Sequence, residues 1–255
     1  MPSLPFAGLD NWLSPPPLPA KVSWLGQWAY AHRGLHGAGV AENSPTAFAA
    51  AMARGMGIEC DVQRSGDSQA MVFHDATLDR LTAQQGRLAE RSADELVRIP
   101  LAGGSDTIPT LQQMLDQVAG KVPLLIEIKS PKNSSRSIPA LCLAVRRVLE
   151  GYGGKHAIMS FDPRIVSWFA RHSPMTVRGL VVTEEDDRAL AGMIRRQFSL
   201  WHAKPDFLAY DVRDLPSRFA AAQRKRGLPI TTWTVRTPEY RERAAAHADA
   251  PIAEG

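Results

Sequence analysis

The chain has 255 residues, of which 44% are hydrophobic and 22% are charged, and these proportions exclude an intrinsically disordered protein. A chain of this length can bury the core of one large α/β domain. The formal net charge of +4 favours anionic ligands only weakly, and the basic residues are scattered apart from Arg224-Lys225-Arg226 at a predicted helix end, which argues against a nucleic-acid-binding protein.

The first 27 residues are rich in proline, which interrupts helices and strands and predicts an irregular arm. Its apolar residues are expected to pin the arm across one end of the domain; they are Phe6, Leu9, Trp12, Leu13 and Trp24. The arm has neither a positively charged start nor a long apolar run, so we predict no signal peptide and no transmembrane helix. We expect a cytoplasmic protein without stable membrane insertion, with the arm at residues 1–27 packed on one domain at residues 28–255.

The sequence of the first part of this domain predicts two strands, a helix and a hairpin. Trp28–Ala31 forms strand one, and Asn43 or Ser44 caps a helix that carries proline in its first turn, where proline is tolerated. Strand two follows at Ile58–Gln63, and Ala70–Phe73 returns beside it as a short hairpin insertion.

Two helices are expected before strand three. The first spans Ser92–Ile99, because Glu95 follows Ser92 at the spacing of a capping box. The second is capped by Thr110 and ends at about Ala119. Strand three is Leu124–Lys129.

The remainder of the chain alternates regularly between helix and strand. The predicted helices are Ile138–Leu149, Pro163–Arg171, Asp187–Phe198, Pro216–Arg226 and Pro238–His247. The predicted strands are Ala157–Phe161, Val177–Val182, Phe207–Val212, Pro229–Val235 and Ala250–Ala253. Repeated strand–helix units indicate a parallel sheet, and about eight units in this length predict a single (β/α)₈ barrel of the α/β class. An open doubly wound sheet is the alternative, but no glycine-rich dinucleotide loop supports it.

Acidic residues occupy alternate positions in strands two and three. Glu59 and Asp61 alternate with apolar neighbours, so both side chains point to one face, and Glu127 alternates likewise in strand three. Adjacent strands of this kind bring three carboxylates together, where they repel one another and lose hydration. A hard divalent cation, Mg²⁺ or Ca²⁺, relieves this repulsion by binding oxygen ligands. Three separate salt bridges are the alternative explanation.

Basic residues and histidines also follow the strand ends, where a parallel barrel has its active site. His32, Arg33 and Lys129 hold such positions. Imidazole titrates near neutral pH and so suits proton transfer, although one histidine alone on a strand is more often structural. His74 changes this balance, because acid–base catalysis of a bond cleavage needs one group that takes a proton and another that gives one. Asp75 is expected to orient His74 or to be structural.

The succession of these motifs resembles the glycerophosphodiester phosphodiesterase family. The motifs are His32-Arg33-Gly34, Glu42-Asn43-Ser44, Glu59-Cys60-Asp61, His74-Asp75 and Glu127-Ile128-Lys129, and the resemblance extends from about Trp28 to the C-terminus. It implies a TIM barrel that hydrolyses a glycerophosphodiester to an alcohol and sn-glycerol 3-phosphate. It also implies that His32 and His74 are the catalytic acid–base pair, and that Glu59, Asp61 and Glu127 bind the divalent metal.

The resemblance implies further roles around this centre. Arg33 and Lys129 bind the phosphate, and Glu42 supports the site without binding the metal. Trp233 lies in a Thr-Trp-Thr-Val strand and walls the alcohol end of the substrate, although a place in the barrel core explains it nearly as well. Arg236 follows this strand where the family often has asparagine, which leaves the substrate preference open. The family also suggests that the glycerol hydroxyl of the substrate attacks phosphorus, giving a cyclic phosphate that water opens.

Two other functions fit the same fold. A lysophospholipase D-type enzyme would need an exposed apolar rim or a membrane-binding helix, and the sequence shows neither clearly. A non-catalytic barrel that binds phosphate esters would lack a histidine or a metal carboxylate, and none is missing. The expected partner is a small-molecule substrate rather than a nucleic acid, while the head group, the choice between Mg²⁺ and Ca²⁺ and the oligomeric state are left open.

Overall fold

The computed structural model describes residues 7–130, 137–185 and 189–254. The helices in these ranges are α1 (Ala7–Leu13), α2 (Pro19–Val22), α3 (Pro45–Ala53), α4 (Ala93–Leu96), α5 (Leu111–Val118), α6 (Ser137–Leu149), α7 (Pro163–His172), α8 (Leu190–Ala203), α9 (Arg218–Lys225) and α10 (Pro238–His247). The strands are β1 (Tyr30–Ala31), β2 (Gly57–Arg64), β3 (Ala70–Val72), β4 (Leu124–Ile128), β5 (His156–Ser160), β6 (Val177–Val182), β7 (Phe207–Asp211), β8 (Ile230–Val235) and β9 (Ala250–Ala253). Short 3₁₀ helices span Leu25–Gln27, Leu88–Glu90 and Val212–Asp214.

The succession of parallel strands and helices is that of a (β/α)₈, or TIM-barrel, fold. The predicted fold class is therefore confirmed, including the hairpin strand β3, which runs antiparallel to β2. The described residues divide into two compact units. We call residues 30–156 together with Glu254 the first unit, and residues 7–29 together with residues 157–253 the second unit.

Strand β2 is the centre of the first unit. It pairs in parallel with β1, starting at Tyr30↔Gly57, and with β4 over the five positions that begin at Ile58↔Leu124. The apolar side chains of β2 are fully buried, as the period-two pattern predicts for one face of the strand. A separate apolar cluster packs under the hairpin and the loops that follow it; it contains Met71, Phe73, Leu78, Leu88, Leu96 and Ile108.

Three helices of the first unit begin at the caps that the sequence predicts. The Ser44 hydroxyl accepts a hydrogen bond from the Ala47 N–H, so Ser44 rather than Asn43 caps α3. Ser92 and Thr110 each form a complete capping box with the residue three positions later. These caps satisfy backbone donors that the first turn of a helix leaves without partners.

The second unit contains strands β5 to β9, which pair in parallel in chain order. The register between β8 and β9 shifts between Thr232 and Val235. A core of buried apolar residues joins these strands to their helices; it includes Tyr210, Phe219, Leu200, Leu208 and Ile230. None of the helices among the described residues is both long and apolar enough to cross a membrane.

The prediction of an irregular N-terminal arm is wrong for the described part, because α1 and α2 occupy it. The prolines of this segment stand between the two helices or in the first turn of α2, where a missing N–H costs nothing. Trp24 is buried as predicted, but Leu9 and Trp12 point outward. Phe6 lies outside the described residues.

The helix predicted at Asp187–Phe198 is also corrected. Asp187 lies outside the described residues, and α8 continues to Ala203. Lys204 ends it in a left-handed backbone conformation, a common helix terminus that glycine or asparagine usually provides.

Candidate active site

The pairing of β2 with β4 brings the three predicted carboxylates together. Asp61 lies opposite Glu127 in the register, and Glu59 shares a face of β2 with Asp61. One ligand atom from each of the three side chains lies within 4.8 Å of the other two. All three residues are buried. We call Glu59, Asp61 and Glu127 the carboxylate cluster.

Two basic side chains contact the cluster on its Asp61 side. Lys129 Nζ lies 2.8 Å from Asp61 Oδ1 and 2.5 Å from Glu127 Oε1, and Arg33 Nε lies 3.1 Å from Asp61 Oδ2. Burial alone would raise the pKa of Asp61, but Lys129 and Arg33 hold that pKa below its usual range. Asp61 is therefore ionised throughout the physiological pH range.

Glu59 has a different environment. The Arg33 backbone N–H donates to Glu59 Oε2 at 2.9 Å, but within the part of the chain that the structure describes no lysine or arginine side chain forms an ion pair with this carboxyl. Burial raises the pKa of Glu59 well above its usual value, and the charges of Asp61 and Glu127 raise it further. Burial likewise raises the pKa of Glu127. Three buried carboxyl groups, two of them with raised pKa values, offer the oxygen donors that a hard divalent cation binds, so the residues present fit such a cation.

Asn43 belongs to this site although the sequence suggested it only as a helix cap. Its side-chain Nδ2 donates to Asp61 Oδ2 at 2.9 Å, and its Oδ1 accepts from the Asp61 N–H at 3.2 Å. Its backbone is left-handed, with φ of 55°, and its N–H donates to the Arg33 carbonyl. Asparagine tolerates this conformation better than most residues, and its position within Glu42-Asn43-Ser44 was the signal that could have identified it.

His32 follows β1, and its side chain is paired with Glu254. Its Nδ1 lies 2.9 Å from Glu254 Oε1, and 12% of its side chain is exposed. Burial lowers the pKa of His32 to about 4, helped by the positive charge of Arg33 and opposed by Asp61 and Glu254. Glu254 was not predicted, because 222 residues separate it from His32 and no motif contains it.

His74 follows the hairpin strand β3, and its Nδ1 is paired with a carboxylate, as is the Nδ1 of His32. Its Nδ1 lies 2.6 Å from Asp75 Oδ1, and Arg80 Nε lies 2.5 Å from Asp75 Oδ2. Burial lowers the pKa of His74, although the negative charge of Asp61 acts in the opposite sense. The amide of Gln63 donates to the backbone carbonyls of Phe73, His74 and Asp75 and so fixes this turn.

Glu42 connects Arg33 with Arg80 through ion pairs. Its Oε1 lies 2.8 Å from Arg33 Nη1 and 2.7 Å from Arg80 Nη2. Burial would raise the pKa of Glu42, but Arg80 and Arg33 lower it. Arg80 therefore contacts both Glu42 and Asp75, and nothing in the weakly patterned sequence after His74 indicated it.

The structure thus gathers most of the predicted site residues in the first unit. They are His32, Arg33, Glu42, Glu59, Asp61, His74, Glu127 and Lys129. Asp61 joins the parts of this assembly, since its charge acts on both imidazoles as well as on Lys129 and Arg33.

Trp233 lies in the second unit, in β8. Its indole N–H donates to the Ala209 carbonyl at 2.9 Å, and the Phe161 ring meets it edge-on with 5.4 Å between the ring centroids. Phe161 is 45% exposed, so this aromatic pair is not part of a fully buried core. A role of Trp233 at the alcohol end of a substrate stays a prediction.

A family model described as the glycerophosphoryl diester phosphodiesterase family matches residues 32–250. A Bacillus subtilis protein, provisionally named as a glycerophosphodiester phosphodiesterase, is 27% identical over 80% of this chain and 84% of its own length. A glycerophosphodiester phosphodiesterase of Caldanaerobacter subterraneus is 38% identical over 39% of this chain and 44% of its own length.

Solved structures give the same fold. A phosphodiesterase of Oleispira antarctica in complex with the product sn-glycerol-3-phosphate has a TM-score of 0.77 at 21% identity, and the match covers 89% of this chain and 92% of that one. A glycerophosphodiester phosphodiesterase of Thermotoga maritima has a TM-score of 0.71 at 24% identity, covering 88% and 93% of the two chains.

Proposed function

The chain belongs to the glycerophosphoryl diester phosphodiesterase family, and from this premise we propose that it hydrolyses glycerophosphodiesters to an alcohol and sn-glycerol 3-phosphate. One arrangement carries the proposal: a buried cluster of three carboxylates with two histidines nearby, each held at Nδ1 by a further carboxylate. Hydrolysis of a phosphodiester requires charge stabilisation at phosphorus and two proton transfers, and this set of groups is suited to both.

We infer that Glu59, Asp61 and Glu127 hold a divalent cation, either Mg²⁺ or Ca²⁺. A cation bound there would stabilise negative charge on the phosphate and lower the pKa of the free hydroxyl of the substrate. The support for this inference is the donor set: three buried carboxyl groups on two paired strands, with Glu59 and Glu127 raised in pKa by burial.

Lys129 and Arg33 are placed to bind the phosphate group. Lys129 Nζ already lies between Asp61 and Glu127, and 21% of its side chain remains exposed. Burial would lower the pKa of Lys129, but Asp61 and Glu127 raise it, so the ammonium stays charged. Arg33 is 17% exposed and held by Glu42 and Asp61, which leaves its planar group in a fixed orientation.

His32 and His74 transfer the protons. Glu254 and Asp75 each occupy Nδ1 of one ring, so the Nε2 atom of that ring is the one left to face a substrate. One imidazole takes the proton from the attacking oxygen, and the other gives a proton to the leaving alcohol. Their roles reverse in the second step.

The attacking oxygen is the glycerol C2 hydroxyl of the substrate itself. Among the described residues, the side-chain hydrogen bonds of His32 and His74 go to the carboxylates of Glu254 and Asp75 and not to a serine, cysteine or threonine, so this part of the chain places no protein nucleophile on either base. An attacking group tethered to the substrate has a high effective molarity, and the product of its attack is a cyclic phosphate that water opens.

The decisive experiment is a turnover assay with glycerophosphocholine, glycerophosphoethanolamine, glycerophosphoinositol and lysophosphatidylcholine, before and after treatment with a chelator. We expect hydrolysis of at least one glycerophosphodiester, loss of turnover on chelation, and recovery with Mg²⁺ or Ca²⁺. Cleavage of lysophosphatidylcholine alone would make the enzyme a lysophospholipase D, and binding without turnover would indicate a phosphate-ester binding protein.

A substrate analogue tests the cyclic route separately. Replacing the glycerol C2 hydroxyl by hydrogen removes the attacking oxygen but leaves the phosphate contacts to Arg33 and Lys129. The analogue is expected to bind and to turn over far more slowly than the parent compound. A comparable rate would mean that water attacks phosphorus directly.

A further inference from the structure

The turn after β1 brings a second histidine back toward His32. Gly34 has a left-handed backbone with φ of 77°, and a Cβ at this position would lie 2.8 Å from the Ala47 Cβ, so the turn requires glycine. The Leu35 N–H donates to the Ala47 carbonyl at 3.0 Å, and the His36 N–H donates to the Gly34 carbonyl at 3.1 Å. These bonds fix the backbone position from which the His36 side chain extends.

His36 forms a cluster with His32 and Glu254 inside the first unit. One ligand atom from each of the three side chains lies within 4.8 Å of the other two. Two of the three side chains already touch, since His32 Nδ1 lies 2.9 Å from Glu254 Oε1. We call His32, His36 and Glu254 the imidazole cluster. It shares no residue with the carboxylate cluster, and its donors are two ring nitrogens and one carboxylate oxygen.

The His36 ring contains a nitrogen that the fold does not use. Its Nε2 atom is shielded from solvent, and no residue of the described ranges forms a hydrogen bond with it. Buried polar atoms nearly always have a hydrogen-bond partner, and one without a partner requires an explanation such as an ion. The proposed proton transfers do not involve His36. The unused nitrogen therefore indicates that the imidazole cluster binds a ligand.

Two imidazoles and one carboxylate suit a metal of intermediate hardness. Zn²⁺ binds histidine nitrogen and carboxylate oxygen at about 2.0–2.2 Å, and sets of two histidines and one glutamate recur in zinc proteins. Mg²⁺ and Ca²⁺ prefer oxygen ligands. At the zinc bond lengths the ligands of a tetrahedral site stand about 3.4 Å apart, so side-chain rotations that move the donor atoms by about an ångström would close the cluster on the metal.

The charges around the imidazole cluster permit a cation. The negative charges of Glu254 and Asp61 both act on His32, and the positive charge of Arg33 acts against them. The guanidinium of Arg33 is itself paired with Glu42 and Asp61, which reduces its repulsion of a cation. Glu254 keeps 24% of its side chain exposed, which leaves its carboxylate room to turn toward a metal.

We propose that the imidazole cluster is a second metal site, selective for Zn²⁺ and metals of its class, and that the bound metal inhibits the enzyme. Binding requires no substrate, but the inhibition rests on the proposed function, in which His32 transfers a proton. A metal on Nε2 of His32 blocks the atom that faces the substrate. A metal on Nδ1 leaves the proton of the neutral ring on Nε2, so that Nε2 no longer accepts one.

Zinc titration of the metal-free full chain tests the site by isothermal calorimetry. The titration is made in a Glu59→Gln, Glu127→Gln background, because these changes remove two carboxylates of the other cluster and leave the imidazole cluster intact. We expect one Zn²⁺ per chain to bind in this background. His36→Ala added to it should weaken zinc binding at least about tenfold, since even the loss of a group that supports a ligand has an effect of that size.

Turnover of the chain with its carboxylate cluster intact tests the inhibition. The assay contains excess Mg²⁺ and uses the glycerophosphodiester that the enzyme hydrolyses, with and without zinc. At a zinc concentration about ten times the Kd, the rate should fall about tenfold, because only about one-eleventh of the protein stays free of zinc. His36→Ala, compared with its own zinc-free rate, should keep about half of that rate or more at the same zinc concentration.

A histidine elsewhere on the surface supplies the matched control. His172 is exposed in α7 of the second unit, so His172→Ala removes an imidazole without touching the cluster. Its zinc affinity and its inhibition by zinc should both stay within about twofold of the parent values, the scatter expected for a group that does not bind the metal. Thermal unfolding checks the fold of each variant, and His36→Gln replaces His36→Ala if the alanine variant does not fold.

The titration and the assay fail in different ways. No zinc binding in the double-glutamine background, or an equal loss of affinity in His36→Ala and His172→Ala, would overturn the site. Zinc inhibition that His36→Ala does not relieve would place the inhibitory zinc in the carboxylate cluster and overturn the inhibition proposed for the imidazole cluster. Zinc binding that depends on His36, in a chain that hydrolyses no glycerophosphodiester, would support the site and contradict the proposed function instead.

Discussion

Each of the two units contains a buried carboxylate network, but the groups that surround the carboxylates differ between them. In the second unit, Asp10 accepts hydrogen bonds from the neutral side chains of Gln197, Trp201 and Gln223, while Arg226 lies 3.8 Å away. In the first unit, the carboxylate cluster places three acidic groups beside one another. A buried carboxylate surrounded by donors joins elements of a fold, whereas clustered like charges oppose folding and indicate a ligand of opposite charge.

The largest expected effect concerns the two histidines near the carboxylate cluster of the first unit. His32→Ala or His74→Ala should each lower kcat by a factor on the order of 10² to 10⁴, because each ring carries one of the two proton transfers. The free energy of unfolding should fall less for His74→Ala than for His32→Ala, since 30% of the His74 side chain is exposed but only 12% of the His32 side chain. Steady-state kinetics and urea unfolding of the same preparations measure the two quantities.

The double variant provides the control for this assignment. If the two histidines act as one unit, His32→Ala with His74→Ala loses much less activity than the product of the single losses. Near-wild-type kcat in either single variant would remove that residue from the mechanism.

A substitution of Asp10 in the second network should lower stability and leave activity unchanged. Asp10→Ala leaves three donors without this acceptor, two of them on the buried Gln197 and Gln223, and it is expected to lower the free energy of unfolding by about 3 kcal/mol or more. The kcat of the folded fraction should stay at the wild-type value. Asp10→Asn keeps one acceptor oxygen in the same shape and should lose less stability. A fall in kcat at unchanged stability would contradict the structural role of Asp10.

Glu59→Gln sharpens the contrast between the networks. The amide oxygen can still accept from the Arg33 N–H, but one carboxylate of the cluster is gone, so metal affinity should fall at least about tenfold. The metal-free protein should be as stable as the wild type, or more stable, because less like charge is buried. Isothermal titration with Mg²⁺ and Ca²⁺ gives the affinity, and unfolding in the presence of a chelator gives the stability.

The pH dependence of that stability gives an independent measurement. The folded pKa of Glu59 is raised above the unfolded value, so the folded state binds more protons, and stability is lost as the pH rises above the unfolded pKa toward the folded pKa. Glu59→Gln should flatten this decline in the metal-free protein. An equally steep decline in the variant would assign the proton uptake to another group.

The smallest expected effect concerns the pH–rate profile. Burial lowers the pKa of His32 to about 4 and also lowers that of His74, so the acid limb of kcat/KM should lie below the ordinary imidazole value. The negative charge of Glu254 raises the pKa of His32, so Glu254→Gln should move the acid limb to still lower pH if His32 is the base. An acid limb that does not move would make His74 the base in the rate-determining step.

Local patterns were sufficient to predict the strands, the helix caps and the carboxylate cluster. Alternation with period two requires Glu59 and Asp61 to share a face, and capping residues such as Ser92 act within one turn of their own helix. The strand–helix alternation indicated the barrel for the same reason, since each unit of that pattern is local. The proline-rich arm was predicted wrongly, because proline in a first helical turn is compatible with a helix and the sequence pattern did not separate the two cases.

Tertiary structure decided the contacts that no local pattern contains. Glu254 reaches His32 from the end of the chain, Arg80 joins Asp75 to Glu42, and Asn43 turns from a candidate cap into a partner of Asp61. The environment of Gln197 in α8 has the same origin, because Gln197 is buried and its hydrogen-bond partner Asp10 is contributed by α1. Hydrogen bonds between distant segments satisfy buried polar groups, and a sequence alone does not specify which segments will meet.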